Sequence, residues 1–249
     1  MELKGAVALV TGGNGGLGQR ICHALAGAGC HVGVVYARSR EAAQGVAGQL
    51  RDKGVQAEAF PCDVTDPGQA QGLAARALDR FGRVDILVND AAYNKWIPFQ
   101  DLDALTYEEW NKILSVNLTG PMLCIKAVAP AMKRQGRGRI VNVSSIAGLG
   151  PSGSSIPYAV SKAGLIHLTR CMAVGLAPEV LVNCVAPGYL EGTRATANLA
   201  PAYRERAVAG TLLKRAADKD DVAEQVVAFC RTDSVTGQTL VIDGGRFFH

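Results

Sequence analysis

A serine, a tyrosine and a lysine in the second half of the chain have the types and spacing for proton transfer. Tyr158 lies 13 residues after Ser145, and Lys162 lies four residues after Tyr158. Helix positions four residues apart share a face, which places the Lys162 ammonium beside the Tyr158 phenol. A tyrosine with its ordinary pKa of about 10 donates protons poorly near neutral pH, and a nearby positive charge lowers that pKa. These residues therefore predict an acid–base site.

A glycine-rich stretch near the amino terminus has the composition of a phosphate-binding turn. Residues 8–21 read ALVTGGNGGLGQRI and hold five glycines within seven positions. Glycines allow a tight turn and a close approach of a ligand, and the N–H groups of a following helix can bind phosphate. The same glycines would also occur in a turn that only packs a helix closely on a strand. The position of the turn in the fold decides between this explanation and phosphate binding.

Short β-branched runs alternate with longer amphipathic runs along the chain. We predict strands at 6–10, 31–36, 55–60, 84–89, 139–144, 180–185 and 239–242, and helices at 16–28, 39–53, 67–81, 107–134 (bent by Gly120-Pro121), 157–177 and 219–231. Since several strands are apolar at consecutive positions, this alternation predicts an α/β fold, a Rossmann-type doubly wound parallel sheet. The first strand–helix turn of such a sheet binds a dinucleotide pyrophosphate, which favours the ligand-binding interpretation of the glycines.

Length and composition narrow the function classes. With 249 residues, 48% of them hydrophobic, the chain is expected to form a single domain over 1–249 with an irregular substrate loop at about 186–215. The net charge of +4 comes without a basic block, the seven cysteines are scattered, and the four histidines lack ligand spacing. We therefore expect a cytoplasmic protein with reduced thiols that binds no nucleic acid, membrane or metal. Hydrolase, metallopeptidase and phosphoryl-transfer motifs are absent from the sequence.

A series of motifs resembles the short-chain dehydrogenase/reductase family, in particular the 3-oxoacyl-ACP-reductase-like enzymes of its classical subfamily. Thr11-Gly12-x-x-x-Gly16-x-Gly18 is similar to the TGxxxGxG fingerprint, and the other motifs follow in family order: CDV (62–64), NDAA (89–92), SVNLTG (115–120), IVNVSS (140–145), YAVSK (158–162), NCVAPG (183–188) and TGQTLVIDGG (236–245). The resemblance implies a homotetrameric oxidoreductase that interconverts a small-molecule carbonyl compound and a secondary alcohol with a nicotinamide cofactor.

The same resemblance implies roles for four residues. Ser145 would hydrogen-bond the substrate oxygen, Tyr158 would pass it a proton, and Lys162 would hold the nicotinamide ribose and lower the tyrosine pKa. Asn117 would anchor a water that links Lys162 to solvent. Each residue alone has an ordinary explanation as a turn or an exposed helix face, but together they favour catalysis.

Further positions are expected to contact the cofactor. They are Gly12, Asn14, Gly16, Leu17, Gly18, Tyr36, Arg38, Ser39, Asp63, Val64, Asn89, Ala91, Tyr158, Lys162, Pro187, Gly188 and Thr193. Tyr36 stands where an acid would bind the ribose of NAD(H), whereas Arg38 suits a 2′-phosphate. We therefore predict a preference for NADP(H), although Gly15 replaces an arginine common in NADP-dependent relatives and keeps NAD(H) as the alternative.

The substrate is less well defined. Glu179 stands where carrier-protein-using relatives have a basic residue, which favours a free carbonyl substrate over the first alternative, a 3-oxoacyl-ACP reductase. A second alternative is a non-catalytic NADP-sensing protein, against which Ser145, Tyr158 and Lys162 argue. Residues 93–96, 146–155 and 189–212 are expected to shape the pocket, and the effect of Asp90 in the NDAA motif stays open.

Overall fold

A computed structural model of the chain describes residues 1–193, 196–197 and 201–248. In this part of the chain, seven parallel strands form one sheet in the order β3-β2-β1-β4-β5-β6-β7. The strands are β1 (Val7–Thr11), β2 (His31–Tyr36), β3 (Ala57–Pro61), β4 (Ile86–Asn89), β5 (Gly138–Val143), β6 (Val180–Pro187) and β7 (Thr239–Ile242). The strand order changes direction between β1 and β4, which confirms the doubly wound Rossmann fold.

Helices cover both faces of the sheet. They are α1 (Gly18–Gly27), α2 (Arg40–Arg51), α3 (Pro67–Phe81), α4 (Tyr107–Leu114), α5 (Gly120–Arg134), α6 (Ile156–Leu176), α7 (Pro201–Ala209) and α8 (Lys219–Arg231). Helices α1, α2 and α8 bury apolar side chains against one face, and α3, α5 and α6 do so against the other. Because both faces are covered, all five residues of β1 are buried, as the run of consecutive apolar residues requires.

The long helix predicted at 107–134 contains a wide turn. Ser115–Thr119 is π-helical and joins α4 to α5, and the N–H of Gly120 donates to the carbonyl of Ser115. The irregularity thus precedes the predicted bend at Gly120-Pro121. Proline at 121 has no N–H to donate to the carbonyl of Asn117 in the α-helical pattern, so the helix can widen there at little cost.

The same long helix would be long and apolar enough to cross a membrane by length and hydropathy alone. Its apolar residues Ile125, Val128 and Met132 are instead buried against the sheet. This burial is that of a core helix in the layer that covers a parallel sheet.

The segment predicted as irregular at 186–215 contains α7. Its sequence PAYRERAVA begins with proline, which is favoured at the first helical position, and is rich in good helix formers. Few apolar residues form a stripe on it, and this is why hydrophobic periodicity missed the helix.

Candidate active site

The predicted site residues gather at the carboxyl ends of the strands. Ser145 follows β5, the glycine-rich turn joins β1 to α1, and Gly188 follows β6. This edge of an open α/β sheet is where ligands bind. The fold therefore brings the proposed acid–base residues and the proposed phosphate-binding turn to one crevice.

The glycine-rich turn has no room for side chains. Gly12 has a φ of +67°, and a Cβ there would lie 3.0 Å from Cα of Ala91. A Cβ on Gly18 would lie 2.2 Å from the carbonyl oxygen of Gly12. Any larger residue at either position would displace the backbone, so the glycines are needed for a turn whose backbone can lie directly against a ligand.

The loop after β6 approaches this turn. A Cβ on Gly16 would lie 2.8 Å from the carbonyl oxygen of Gly192 and 3.2 Å from Cα of Thr193. The Thr193 hydroxyl lies 3.0 Å from that of Thr196. Thr193 thus lies beside the glycine-rich turn, as its prediction as a cofactor contact requires, while residues 194, 195 and 198–200 of the predicted pocket loop fall outside the described residues.

Asn14 connects the glycine-rich turn to the loop after β2. Its Nδ2 donates to the carbonyls of Arg38 (2.9 Å) and Ser39 (3.2 Å). Ser39 has a φ of +61°, a conformation that non-glycine residues adopt at some cost in energy and that often marks a binding site. The Arg38 side chain is exposed and Tyr36 is buried. The contacts of Asn14 therefore fix the backbone that presents Arg38.

The side chains of two other predicted cofactor contacts form hydrogen bonds within the protein. The Asn89 amide is buried and donates to Oδ1 of Asn142 (2.8 Å), whose own amide donates to Thr169 (2.9 Å). The Asp63 carboxylate accepts from the backbone and hydroxyl of Thr65. The side chain of Asn89 thus lies inside the protein between β4, β5 and α6.

The remaining predicted contacts occupy fixed backbone positions. Leu17 and Val64 are buried, and Val64 lies against Gly120, where a Cβ would come within 2.7 Å of its Cγ2. The N–H of Gly188, which follows Pro187, donates to the carbonyl of Ile242 (2.9 Å). Their contacts with a cofactor stay predictions.

Ser145 and Tyr158 meet through their side chains. Ser145 precedes a short 3₁₀ turn, and its Oγ accepts from the N–H of Ala147 (3.1 Å). Ser155 caps α6 and its Oγ accepts from the N–H of Tyr158 (3.4 Å). The Ser145 hydroxyl lies near enough to the Tyr158 phenol to favour the ionised tyrosine and acts to lower its pKa. The two hydroxyls are thus close enough to share one substrate oxygen.

Lys162 is buried beside Tyr158. Its Nζ donates to the carbonyl of Val143 (2.8 Å) and lies 5.7 Å from the centre of the Tyr158 ring. Burial lowers the pKa of Lys162 to about 8, and the charge of Asp90 acts in the opposite direction. The lysine is held by the end of β5 on the face that the helical spacing predicts.

The pKa of Tyr158 is raised in this structure. Burial raises it to about 12, with smaller contributions from Tyr203 and Asp90 in the same direction. Removal of the phenolate from water is the largest of these effects. The prediction that Lys162 lowers this pKa stays a prediction.

The side chain of Asn117 holds the segment after β4. Its Oδ1 accepts from the N–H of Tyr93 (2.8 Å), and its Nδ2 donates to the carbonyl of Tyr93 (2.9 Å) and to Oγ of Ser161 (3.1 Å). The Ser161 hydroxyl donates to the carbonyl of Tyr158 (2.7 Å). Asn117 therefore joins the segment at Tyr93 to α6, a structural contact that its type and spacing did not reveal.

The rim of the pocket carries charged and aromatic pairs that the sequence analysis did not find. Glu109 accepts from the Tyr93 hydroxyl (3.2 Å) and pairs with Lys95 (3.3 Å). Trp96 and Tyr203 of α7 meet edge to face, with ring centres 5.2 Å apart. Tyr203 also lies near enough to raise the pKa of Tyr158. These aromatic rings thus lie on the side of the crevice near Tyr158.

The arrangement fits a dinucleotide. The glycine-rich turn offers the side-chain-free cradle that a pyrophosphate needs, and the buried Lys162 offers a cation deeper in the crevice. No group of three His, Cys, Asp or Glu side chains among the described residues is arranged to hold a metal ion.

Curated relatives share the chain nearly from end to end. The chain is 42% identical over 241 residues to a protein named ketoacyl reductase 2 of the granaticin polyketide synthase of Streptomyces violaceoruber, covering 96% of this chain and 95% of the relative. It is 37% identical over 248 residues to a 3-oxoacyl-[acyl-carrier-protein] reductase of Synechocystis, covering 98% and 97%.

Solved structures agree with the sequence relatives. An NAD⁺-bound xylitol dehydrogenase has a TM-score of 0.90 at 29% identity and covers 98% of this chain and 100% of its own. An NADPH-dependent 3-quinuclidinone reductase of Rhodotorula rubra has a TM-score of 0.90 at 26% identity, with 98% and 92% covered. The family model described as short chain dehydrogenase matches residues 6–204. The motifs, fold and relatives of the chain together establish that it belongs to the short-chain dehydrogenase family and is an NAD(P)-dependent oxidoreductase.

Proposed function

We propose that the protein is an NADP(H)-preferring reductase of a small free ketone, with Tyr158 as the general acid and, in the reverse direction, the general base. The observation that carries this proposal is the meeting of Ser145, Tyr158 and Lys162 in the crevice that also contains the glycine-rich turn. A protein that only senses the cofactor needs no such proton donor.

The chain's own residues account for proton transfer to the carbonyl oxygen. A bound nicotinamide cofactor supplies or accepts the hydride. Ser145 holds the carbonyl oxygen, and the Tyr158 hydroxyl, which lies near that of Ser145, donates its proton to that oxygen as negative charge develops. The Lys162 ammonium stabilises the phenolate that remains and holds the nicotinamide ribose.

Reprotonation of Tyr158 needs a path to solvent, which we assign to a water held by Asn117. The Asn117 side chain is already bonded to Tyr93 and Ser161, so the water would bind its main-chain carbonyl. Pro121 cannot donate to that carbonyl in the α-helical pattern, which makes this part of the wide helical turn a suitable acceptor.

The preference for NADP(H) rests on the loop after β2. Arg38 is exposed there and its backbone is held by Asn14, which supports its assignment to the 2′-phosphate, and Tyr36 offers no acid to favour NAD(H). Relatives in this fold include both an NAD⁺-bound and an NADPH-dependent enzyme.

An oxidation assay tests the function directly. Purified protein is mixed with NADPH or NADH and a panel of ketones, acyl thioesters and sugars, and cofactor oxidation is followed by absorbance. Turnover of a ketone with NADPH at higher kcat/KM than with NADH is expected. Cofactor binding without turnover across the panel would favour the sensor, and an NADH preference would overturn the NADP(H) proposal.

A 3-oxoacyl reductase is the second candidate, because both curated relatives described above carry ketoacyl or 3-oxoacyl reductase names. Glu179, which motivated the choice of a free substrate, precedes β6 at the opposite end of the sheet from Tyr158. Its charge therefore acts far from the crevice. A higher kcat/KM for acetoacetyl-ACP than for its short thioester analogue and simple ketones would establish this candidate.

A cytoplasmic homotetramer is part of the proposal on the strength of the family resemblance. Light scattering of the purified protein at micromolar concentration measures the mass, and a monomer would contradict the proposed assembly.

A further inference from the structure

Asp90 occupies a site that the proposed mechanism does not use. It follows β4, and its N–H and that of Ala91 both donate to Oγ1 of Thr11, each at 3.1 Å. A Cβ on Gly18 would lie 2.9 Å from Oδ2 of Asp90. The backbone is thus held by β1, and the carboxylate lies at the start of α1, inside the crevice.

The strand register places Asp90 next to the residue that holds Lys162. Asn89 of β4 pairs with Asn142 of β5, so the following residues, Asp90 and Val143, continue side by side at a strand spacing of about 4.8 Å. The carbonyl of Val143 accepts the hydrogen bond from Lys162 Nζ. The carboxylate therefore follows one strand end, and the ammonium, which comes from α6, is hydrogen-bonded to the end of the neighbouring strand.

The other titratable groups around this pair are neutral at physiological pH. Asp90 faces Cys22 of α1 and Tyr158 of α6, and Lys162 faces Cys184 of β6. Burial raises the pKa of Cys22, that of Cys184 to about 11 and that of Tyr158 to about 12. Asp90 and Lys162 are thus the two groups in this cluster that carry charge near neutral pH.

We propose that Asp90 is the charge partner of Lys162, a positioning residue that keeps the lysine an ammonium inside the crevice and so sets the alkaline limit of catalysis. This inference rests on the proposed function, in which Lys162 acts on Tyr158 as a cation. Burial opposes both charges, and each group's charge counteracts the shift of the other; with both effects present the pKa of Asp90 is raised to about 7 and that of Lys162 is lowered to about 8.

The isosteric variant Asp90→Asn removes the carboxylate and keeps the shape. Without the negative charge, Lys162 loses its proton at lower pH, so the alkaline limb of kcat/KM for ketone reduction moves to lower pH by about one unit. The limb is measured from pH 6 to 10 in wild type, in Asp90→Asn and in Asp79→Asn, a control that removes an exposed carboxylate from α3. Coincident limbs in all three proteins would overturn the proposal.

A measurement without cofactor or substrate tests the buried charge by itself. Because the pKa of Asp90 is raised from 3.8 to about 7 on folding, the wild type loses stability as pH rises through this window. Asp90→Asn lacks that loss. Its Tm is expected to equal that of wild type near pH 4 and to exceed it by about 3 °C or more at pH 8.

A Tm difference that does not change with pH would show that the carboxylate is not buried beside its partner, and it would overturn the inference whatever the activity assay gives. Absence of ketone reduction by the wild type would instead overturn the proposed function, since the Tm comparison needs no turnover.

Discussion

Two aspartates flank β4, one at each end of the strand, and they stand in opposite surroundings. Asp85 at the amino end is fully buried and accepts hydrogen bonds from the N–H of Val7 (2.9 Å) and from Arg83 (2.6 and 2.7 Å), with Arg137 at 3.5 Å. Asp90 at the carboxyl end faces the single opposite charge of Lys162 among the described residues. One acid is fully paired, whereas the other retains a raised pKa.

The surroundings of the two aspartates extend this difference. Near the amino end, Gln135 exchanges two hydrogen bonds with the backbone of Val84, and Arg139 pairs with Asp233. Near the carboxyl end, Oδ1 of Asn89 and Oγ of Ser154 are buried without a partner among the described residues. Oγ1 of Thr239, the first residue of β7, also lacks a partner in the part of the chain that the structure describes, so the contrast belongs to the two ends of β4. The amino end of β4 pairs its carboxylate and stabilises the fold, whereas the carboxyl end leaves Oδ1 of Asn89 under-satisfied, as ligand sites do.

The largest effect is expected from Tyr158→Phe, which tests whether the carboxyl end serves chemistry rather than folding. Loss of the proton donor should lower kcat about 10²–10⁴-fold and leave Tm and NADPH affinity unchanged, because the ring and its packing remain. Turnover, thermal unfolding and cofactor fluorescence are measured together. Tyr107→Phe, at an exposed tyrosine of α4, is the control, and near wild-type turnover of Tyr158→Phe would sink the mechanism.

Arg38→Asp tests whether the loop after β2, at the carboxyl end of the sheet, binds the 2′-phosphate of NADPH. Loss of a charge-assisted hydrogen bond of roughly 1.5–3 kcal/mol, with added repulsion of the 2′-phosphate, should weaken NADPH binding at least tenfold. NADH binding should hold within about threefold, because NADH lacks that phosphate. Dissociation constants come from fluorescence titration.

Lys53→Asp is the matched control for Arg38→Asp, since Lys53 is another exposed cation, just beyond the end of α2. Equal losses of NADPH and NADH affinity in Arg38→Asp would show that Arg38 does not bind the phosphate.

The sequence predicts most of the fold because backbone geometry and burial act locally. Every predicted strand and helix is present with ends that differ by a few residues, and Gly12 and Gly18 occupy the turn where only glycine fits. The helix α7 was missed because its sequence has no apolar stripe, and the π-helical turn was placed too late because Pro121 acts on a carbonyl four residues earlier.

The pKa shifts and charge pairs of the site were harder to predict from the sequence than which residues gather there. Spacing alone put Lys162 beside Tyr158, but the sign of the tyrosine's pKa shift depends on how much water burial removes, which spacing does not report. The partners of Asn117 and Asp90 come from segments far away in the sequence, Tyr93 and Lys162 respectively. Such pairings follow from the packing of helices beside the strand ends, which only the folded chain reveals.

Asp85→Asn tests the other end of β4. An amide cannot accept all the hydrogen bonds of the carboxylate and brings an N–H₂ group towards Arg83 and the N–H of Val7, so stability should fall by roughly 1–3 kcal/mol. At a slope of about 2–4 °C per kcal/mol for a chain of this size, Tm should fall by several degrees, while kcat/KM at 25 °C stays that of wild type. Unchanged Tm, or a loss of activity without a loss of stability, would break the contrast between the two ends.

The smallest effect is expected from Glu179→Lys, which tests whether the amino end has any part in substrate delivery. Glu179 lies beyond the far end of α6 from Tyr158, and a helix of 21 residues is about 30 Å long. At 0.1 M salt the Debye length is about 10 Å, so a charge there should change kcat/KM for acetoacetyl-ACP less than about twofold and for a free ketone not at all. The two substrates are compared at low and moderate ionic strength, with Lys133→Glu as the reverse exchange in α5. A gain of tenfold in Glu179→Lys that disappears as salt rises would place carrier docking at the amino end, and the second candidate function would then replace the first.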